Sequence, residues 1–257
     1  MATPRAPLGN PTVFRVPRSS TVDLIAIELR NAIYSGALAV GSPIGEVEIS
    51  SQLGVSRSPL REATQRLVQE GLLTATPGRG LRVSVIPAEH LHDLYDARAA
   101  IEFQAIRLLV ASGDAHALAG IDDALAELEK ASTGDDARAI GDADLTFHRT
   151  LVEASGNGRL ARYMATLVIE TRIASFSTSE GYVVRRDVSP TYHALVEALH
   201  AGDADAAIAA LQTQFDEAVA RLSGRPLSDG GPIQTVEEPP TEPLPLGPLD
   251  TTGTTLG

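Results

Sequence analysis

Arg57, Arg61 and Gln65 are spaced four residues apart, on one flank of a helical pattern whose Leu60, Ala63 and Leu67 form a separate apolar stripe. Side chains of these types at that spacing suit a nucleic acid. An arginine at the front of such a helix can donate two parallel hydrogen bonds to guanine O6 and N7, or to a phosphate. A second pair, Asp144 and His148, stands one helical turn apart on a stripe shared with Ile140, Phe147 and Leu151. An acid and an imidazole facing an apolar bundle need a partner, because an uncompensated buried charge is costly. That partner is a metal ion, a ligand or another side chain.

The chain that must position these groups has 257 residues, 43% of them apolar, which suffices for one or two domains with buried cores and excludes a wholly disordered protein. It has no cysteine, so disulfides, thiolate metal sites and cysteine nucleophiles are ruled out. No run approaches the roughly 18 apolar residues of a membrane span, and the proline-rich start has no secretory core, so a soluble, cytoplasmic protein is expected. The formal net charge of −12 argues against a nucleic-acid partner until its distribution is read. Residues 1–87 carry nine arginines against six acids, whereas the rest carries twelve basic and 27 acidic residues. The front is basic and the remainder is acidic; for most individual carboxylates the plain reading is a solvated helix face.

Residues 1–18 and 223–257 are rich in proline without periodicity, and both are expected to be disordered. Within 19–87, Val22, Ile25, Leu29 and Ile33 predict a first helix stopped by Gly36, and a short second helix follows near Glu46 to Leu53. Gly54 and Val55 make a tight turn, Ser56 or Ser58 caps the third helix, and Pro59 is tolerated in its first turn. Leu81, Val83 and Val85 then alternate with polar residues beyond Pro77-Gly78-Arg79-Gly80, which predicts a hairpin. Three helices with a hairpin make a winged helix-turn-helix. Arg79, between two glycines at the hairpin tip, can reach an adjacent groove. Residues 88–222 read as helices near 88–112, 114–132, 136–154, 157–179, 190–201 and 203–222, with no strand. The fold class expected is mainly α: a winged helix-turn-helix followed by an all-helical bundle.

The run from Gly54 to Leu73, with Ile33-Tyr-Ser-Gly-Ala-Leu38 before it and Pro77-Gly-Arg-Gly80 after it, resembles the N-terminal domain of GntR-family transcriptional regulators. The resemblance implies that Arg57, Arg61 and the wing glycine Gly78 or its neighbours contact operator DNA. The full contact set is read as Arg57, Ser58, Arg61, Gln65, Gly78, Arg79 and Gly80. The pattern departs at Val47, where some members carry a further DNA-contacting arginine. The helical part resembles the ligand-sensing FCD domain of the FadR-type subfamily through Asp93-Leu-Tyr-Asp-Ala-Arg98 to Glu102, Asp144-Leu-Thr-Phe-His148 to Asn157, and Thr191 to Asp203.

In the metal-binding branch of that subfamily two further histidines complete a cluster. Here Tyr192 and Gln214 stand at those positions, and His193 is one residue out of register, rotated by about 100°. Zinc or nickel would find only Asp144 and His148 as strong ligands, an incomplete set. Arg98, Arg172, Tyr192 and Gln214, with Asp144 and His148, could instead hold a small carboxylate directly, since a guanidinium forks onto two carboxylate oxygens. The resemblance implies a homodimer on double-stranded, palindromic operator DNA, a repressor answering to a small organic acid, with no catalytic residues. The alternative is a DNA-binding dimer whose helical domain only dimerises. A metal-dependent hydrolase built on Asp144 and His148 lacks a completed ligand set and leaves the winged helix unexplained.

Overall fold

The computed structural model describes residues 20–78, 80–134, 136–177, 182–185, 190–224 and 233–236. The first helix, α1 (Thr21–Tyr34), begins at Ser20, which accepts from the Asp23 amide while the Asp23 carboxylate accepts from the Ser20 N–H. This reciprocal cap satisfies two backbone donors that the helix cannot. The helix α2 (Glu46–Gln52) leads through Gly54, at φ 66°, into α3 (Arg57–Gln69). The strands β1 (Leu73–Thr76) and β2 (Gly80–Val83) pair antiparallel, Leu73 opposite Val83 and Thr76 opposite Gly80, and form the wing. Ile25, Leu29, Ile33, Leu53, Leu60, Leu67 and Leu72 close the core between these elements. Polar clamps hold α3 against α1: Arg30 forks onto the Glu70 carboxylate, and Arg66 pairs with Asp23. Arg66 is thus engaged within this first, DNA-binding-type unit, the head.

A short 3-10 turn (Ala88–His90) starts the second unit. Six helices follow: α4 (Leu91–Ser112), α5 (Ala115–Ser132), α6 (Ala137–Ala154), α7 (Gly158–Phe176), α8 (Pro190–Ala201) and α9 (Ala204–Leu222). Asp114, Asp136, Asn157 and Asp203 cap α5, α6, α7 and α9, each accepting from backbone amides of the first turn. Most of these helices lie within a residue or two of the periodicity reading. The helix expected to start at 88 is a 3-10 turn there and becomes α-helical at Leu91.

Two strands correct the reading of this half. Residues Tyr182–Arg185 (β3) pair antiparallel with Ile233–Val236 (β4), where the sequence suggested neither a strand nor, in the tail, any order. A four-residue segment shows no period of its own, and its pairing partner lies far along the chain. The remaining residues of the two terminal segments, 1–19, 225–232 and 237–257, lie outside the described residues.

The two units share a seam. Ile169 and Ile173 of α7 pack into the core of the head with Ile25, Leu29 and Leu72, and the Ser177 hydroxyl accepts from the Ile86 amide at 3.2 Å. Ile173 has no exposed surface. Its truncation to alanine is expected to cost about 2–5 kcal/mol, the range for deleting a buried branched side chain. Urea unfolding followed by a probe in the head would register that loss, although the residue belongs to the other unit.

Candidate functional site

Two regions collect the residues singled out by sequence. On the head, Arg57, Ser58, Arg61 and Gln65 all lie exposed along the outer face of α3, opposite the buried Leu60, Ala63 and Leu67. Arg61 keeps 63% of its side-chain surface in water, and its Nε donates to Glu46 Oε2 of α2 at 3.0 Å. Glu46 therefore orients the guanidinium without hiding it, a contact between helices that spacing alone does not reveal. Val47, beside it on α2, is an exposed apolar side chain. Gly78 and Gly80 flank the wing tip at φ 77° and 75°, in the left-handed region that a side chain would strain. Arg79 lies outside the described residues.

The second region is a chain of polar groups inside the helical bundle. Arg98 of α4 donates from Nε to Glu102 Oε1 at 2.8 Å, and the other oxygen of Glu102 meets His148 Nδ1 of α6 at 2.7 Å. His148 Nε2 faces Asp144 Oδ1 at 3.6 Å, a charge contact longer than a hydrogen bond. The Tyr192 hydroxyl of α8 donates to the same Asp144 oxygen. Aromatic rings seal the chain: the Arg98 guanidinium lies 4.7 Å from the Phe215 ring and 5.1 Å from Tyr95, and the His148 ring packs against Phe147, Tyr192 and Phe215.

Burial works against the charged forms of Glu102 and His148, but their mutual contact overrides it. Burial would raise the Glu102 carboxyl, yet the Arg98 charge and the imidazole hold it below the usual range. Burial would lower His148, yet the Glu102 charge pulls it up. Asp144, also opposed by burial, is lowered by His148 and then by the Tyr192 phenol, whose own proton is held more tightly through burial and the Asp144 charge.

Three groups of α4 and α9 have buried atoms with no hydrogen-bond partner among the described residues. They are Arg98 Nη2, both amide atoms of Gln214, and Arg221 Nε, seven residues beyond Gln214 on the same face of α9. Such groups are expensive to leave unpaired. Glu102 and Arg221 were not singled out as site residues by sequence. Glu102 had a signal, its i+4 spacing from Arg98, whereas Arg221 had none because its role depends on how α9 docks.

Arg172 is brought elsewhere. It lies on α7, paired with Asp142 of α6 and stacked over Tyr34 and Phe176, so the structure does not place it with Arg98 as the sequence reading had it. His193 turns outward to Glu129, with Nε2 2.8 Å from its carboxylate. The donor set does not fit zinc or nickel. Both imidazole nitrogens of His148 face carboxylates, Glu102 is held by a guanidinium, and among the described residues no three His, Asp or Glu side chains converge on one point. Among the described residues no helix is long and apolar enough to cross a membrane.

A family model described as bacterial regulatory proteins, gntR family, matches residues 21–83, and one described as the FCD domain matches residues 93–217. The probable D-xylose utilization operon transcriptional repressor of Paenarthrobacter nicotinovorans is 34% identical over 196 residues, 75% of this chain and 83% of that protein. The Nta operon transcriptional regulator of Aminobacter aminovorans is 38% identical over 135 residues, 52% of this chain and 63% of its own. A crystal structure of a GntR transcriptional regulator from Rhodococcus sp. RHA1 superposes with a TM-score of 0.68 at 29% identity, covering 79% of this chain and 97% of that one.

The polar chain has a pH signature. His148 is raised from its ordinary 6.5, so its contribution is complete below that value and is lost as pH rises through the folded-state value. Glu102 is lowered from 4.5, so its contribution is present above that value and fades as pH falls through the folded one. The stability deficit of His148→Gln against the unaltered protein should therefore be largest between about pH 5 and 6.5 and shrink on the alkaline side. Denaturant unfolding across pH measures it. A deficit that grows with alkalinity would mean the imidazole is neutral in the folded protein.

Proposed function

The chain belongs to the gntR family of bacterial regulatory proteins and carries an FCD domain behind its DNA-binding head, and from that premise we propose a repressor that binds a palindromic operator as a homodimer and answers to a small carboxylate. It is a transcriptional regulator and not an enzyme. Arg57, Ser58, Arg61 and Gln65 lie in the major groove, with Gly78, Arg79 and Gly80 of the wing against an adjacent groove or the phosphates. A net positive front on an otherwise acidic chain supports this, since it leaves one surface attractive to the phosphate backbone and the rest repelled by it. Repression follows the name of the D-xylose relative. The sugar in that name is said of that relative alone; the forked geometry of a guanidinium favours a carboxylate here.

The observation that carries the effector half is the set of buried atoms without a partner. Arg98 Nη2 and the Gln214 amide are expensive to keep buried and unpaired, and a carboxylate would accept from both. Arg98 is already fixed by Glu102 and two aromatic rings, so little ordering is needed when a ligand arrives. Such a ligand changes operator affinity only by the difference in its hold on the DNA-competent and DNA-incompetent arrangements, typically about 1–3 kcal/mol.

Two measurements test the two halves. Arg61→Ala should weaken specific operator binding by about 1–3 kcal/mol while leaving the melting temperature nearly unchanged, because the side chain is exposed. An unchanged footprint would remove α3 from the groove. In a thermal-shift screen, small carboxylates should stabilise the protein, and Gln214→Leu should reduce that shift without destabilising the ligand-free protein. If no carboxylate raises the melting temperature, the helical domain serves dimerisation alone.

A further inference from the structure

The helix that carries Asp144 and His148 also reaches the DNA-binding head, and the more deeply buried of its two contacts there runs through Arg172. Arg172 of α7 has 2% of its surface exposed. Its guanidinium pairs with Asp142, two residues before Asp144 on α6, and lies 4.7 Å from the ring of Tyr34, the last residue of α1. The Phe176 ring sits 5.7 Å away. A second contact runs alongside. Arg138, in the first turn of α6, donates to the Ser35 carbonyl at 3.4 Å and lies 5.6 Å from the same Phe176 ring. The end of α1 is therefore gripped from α6 at two points, with α7 between. Beyond it, the Arg30–Glu70 and Arg66–Asp23 clamps oblige α3 to follow α1.

We propose that Arg172 is the joint through which α6 sets the placement of the DNA-binding head. The guanidinium suits that task because it holds the Asp142 carboxylate while its charge lies over the Tyr34 ring, so a shift of α6 displaces the ring on which α1 ends. A lysine would keep the charge and lose the broad, forked group that reaches carboxylate and ring together. The apolar contacts of Ile169 and Ile173 hold the two units together without specifying one angle between them, whereas the ion pair and the stacked ring are directional. That an effector drives the joint rests on the proposed function; the joint itself does not.

The chain has no cysteine, so spin labels can be attached at Ser51→Cys on the head and Ala126→Cys on α5, both exposed positions. With labelled protein diluted into unlabelled chain, the distance distribution between the labels is read in the absence of any effector. It should be narrow in the otherwise unaltered protein and widen about twofold in Asp142→Asn and in Arg172→Lys, as a docked head gains alternative placements. Asp142→Glu should restore the narrow distribution. Asp142 is half exposed, so its variants are expected to fold even if Arg172→Lys does not. Distributions unchanged in the folded variants would overturn the joint, and so would a lower melting temperature with no widening, because the contact would then be merely structural. A widened distribution alongside a carboxylate screen that finds no ligand would uphold the joint and sink the effector reading instead.

Discussion

Glu102 has none of its surface in water, and Arg98 and His148 together hold its carboxylate in the ionised form. The helical domain is arranged around that pairing. Arg98 comes from the same helix one turn earlier, which costs little to arrange, but His148 must be delivered by α6, and that fixes the rotation and height of α6 against α4. Once His148 is placed, Asp144 stands one turn below it and Tyr192 of α8 closes on Asp144. The polar chain is thus also a register mark for three helices. Removing one member would leave a buried charge without its counter-charge, which is why such a chain tolerates loss of a part less well than an apolar core of similar size would.

The seam between the units obeys a similar logic with different chemistry. Apolar side chains of α7 enter the head's core, so the head does not end at the wing in terms of packing even though its sequence signature does. Apolar burial is strong and undirected; the guanidinium of Arg172 and the carbonyl contact of Arg138 supply direction. Through α1 and its two clamps, orientation at the seam reaches α3 as a rigid-body property of the head. A regulator needs this combination: enough apolar contact to keep the two units docked, and few enough directional contacts that a small displacement can re-aim the front helix.

Charge is divided along the chain for the same end. The basic residues of the front half are not all free for DNA: Arg30 and Arg66 are used to clamp α1 to α3, while Arg57 and Arg61 face outward. Counting arginines therefore overstates the attractive surface, and only their faces separate clamps from contacts. Helical spacing put Arg57 and Arg61 on one flank of α3, but only the fold pairs Arg66 with Asp23, because that residue lies on another helix.

Sequence periodicity and punctuation determined the elements. Stripes of Ile and Leu, glycines at turns and Asp or Asn at helix starts act locally, within a turn or two, so helix placement, the hairpin and the outward face of α3 were legible without coordinates. The Asp144–His148 pair was legible for a related reason, since helical spacing is a property of a single segment, whereas Tyr192 and Gln214 entered through the family resemblance. What tertiary structure alone decided is which segments meet. It put Glu102 between Arg98 and His148, buried the Arg221 Nε, sent Arg172 to Tyr34 instead of to Arg98, and paired a short strand between α7 and α8 with one beyond α9. Each of these depends on how one helix or strand is rotated and docked against another, a choice made by the summed packing of the whole chain and carried by no local pattern of residues.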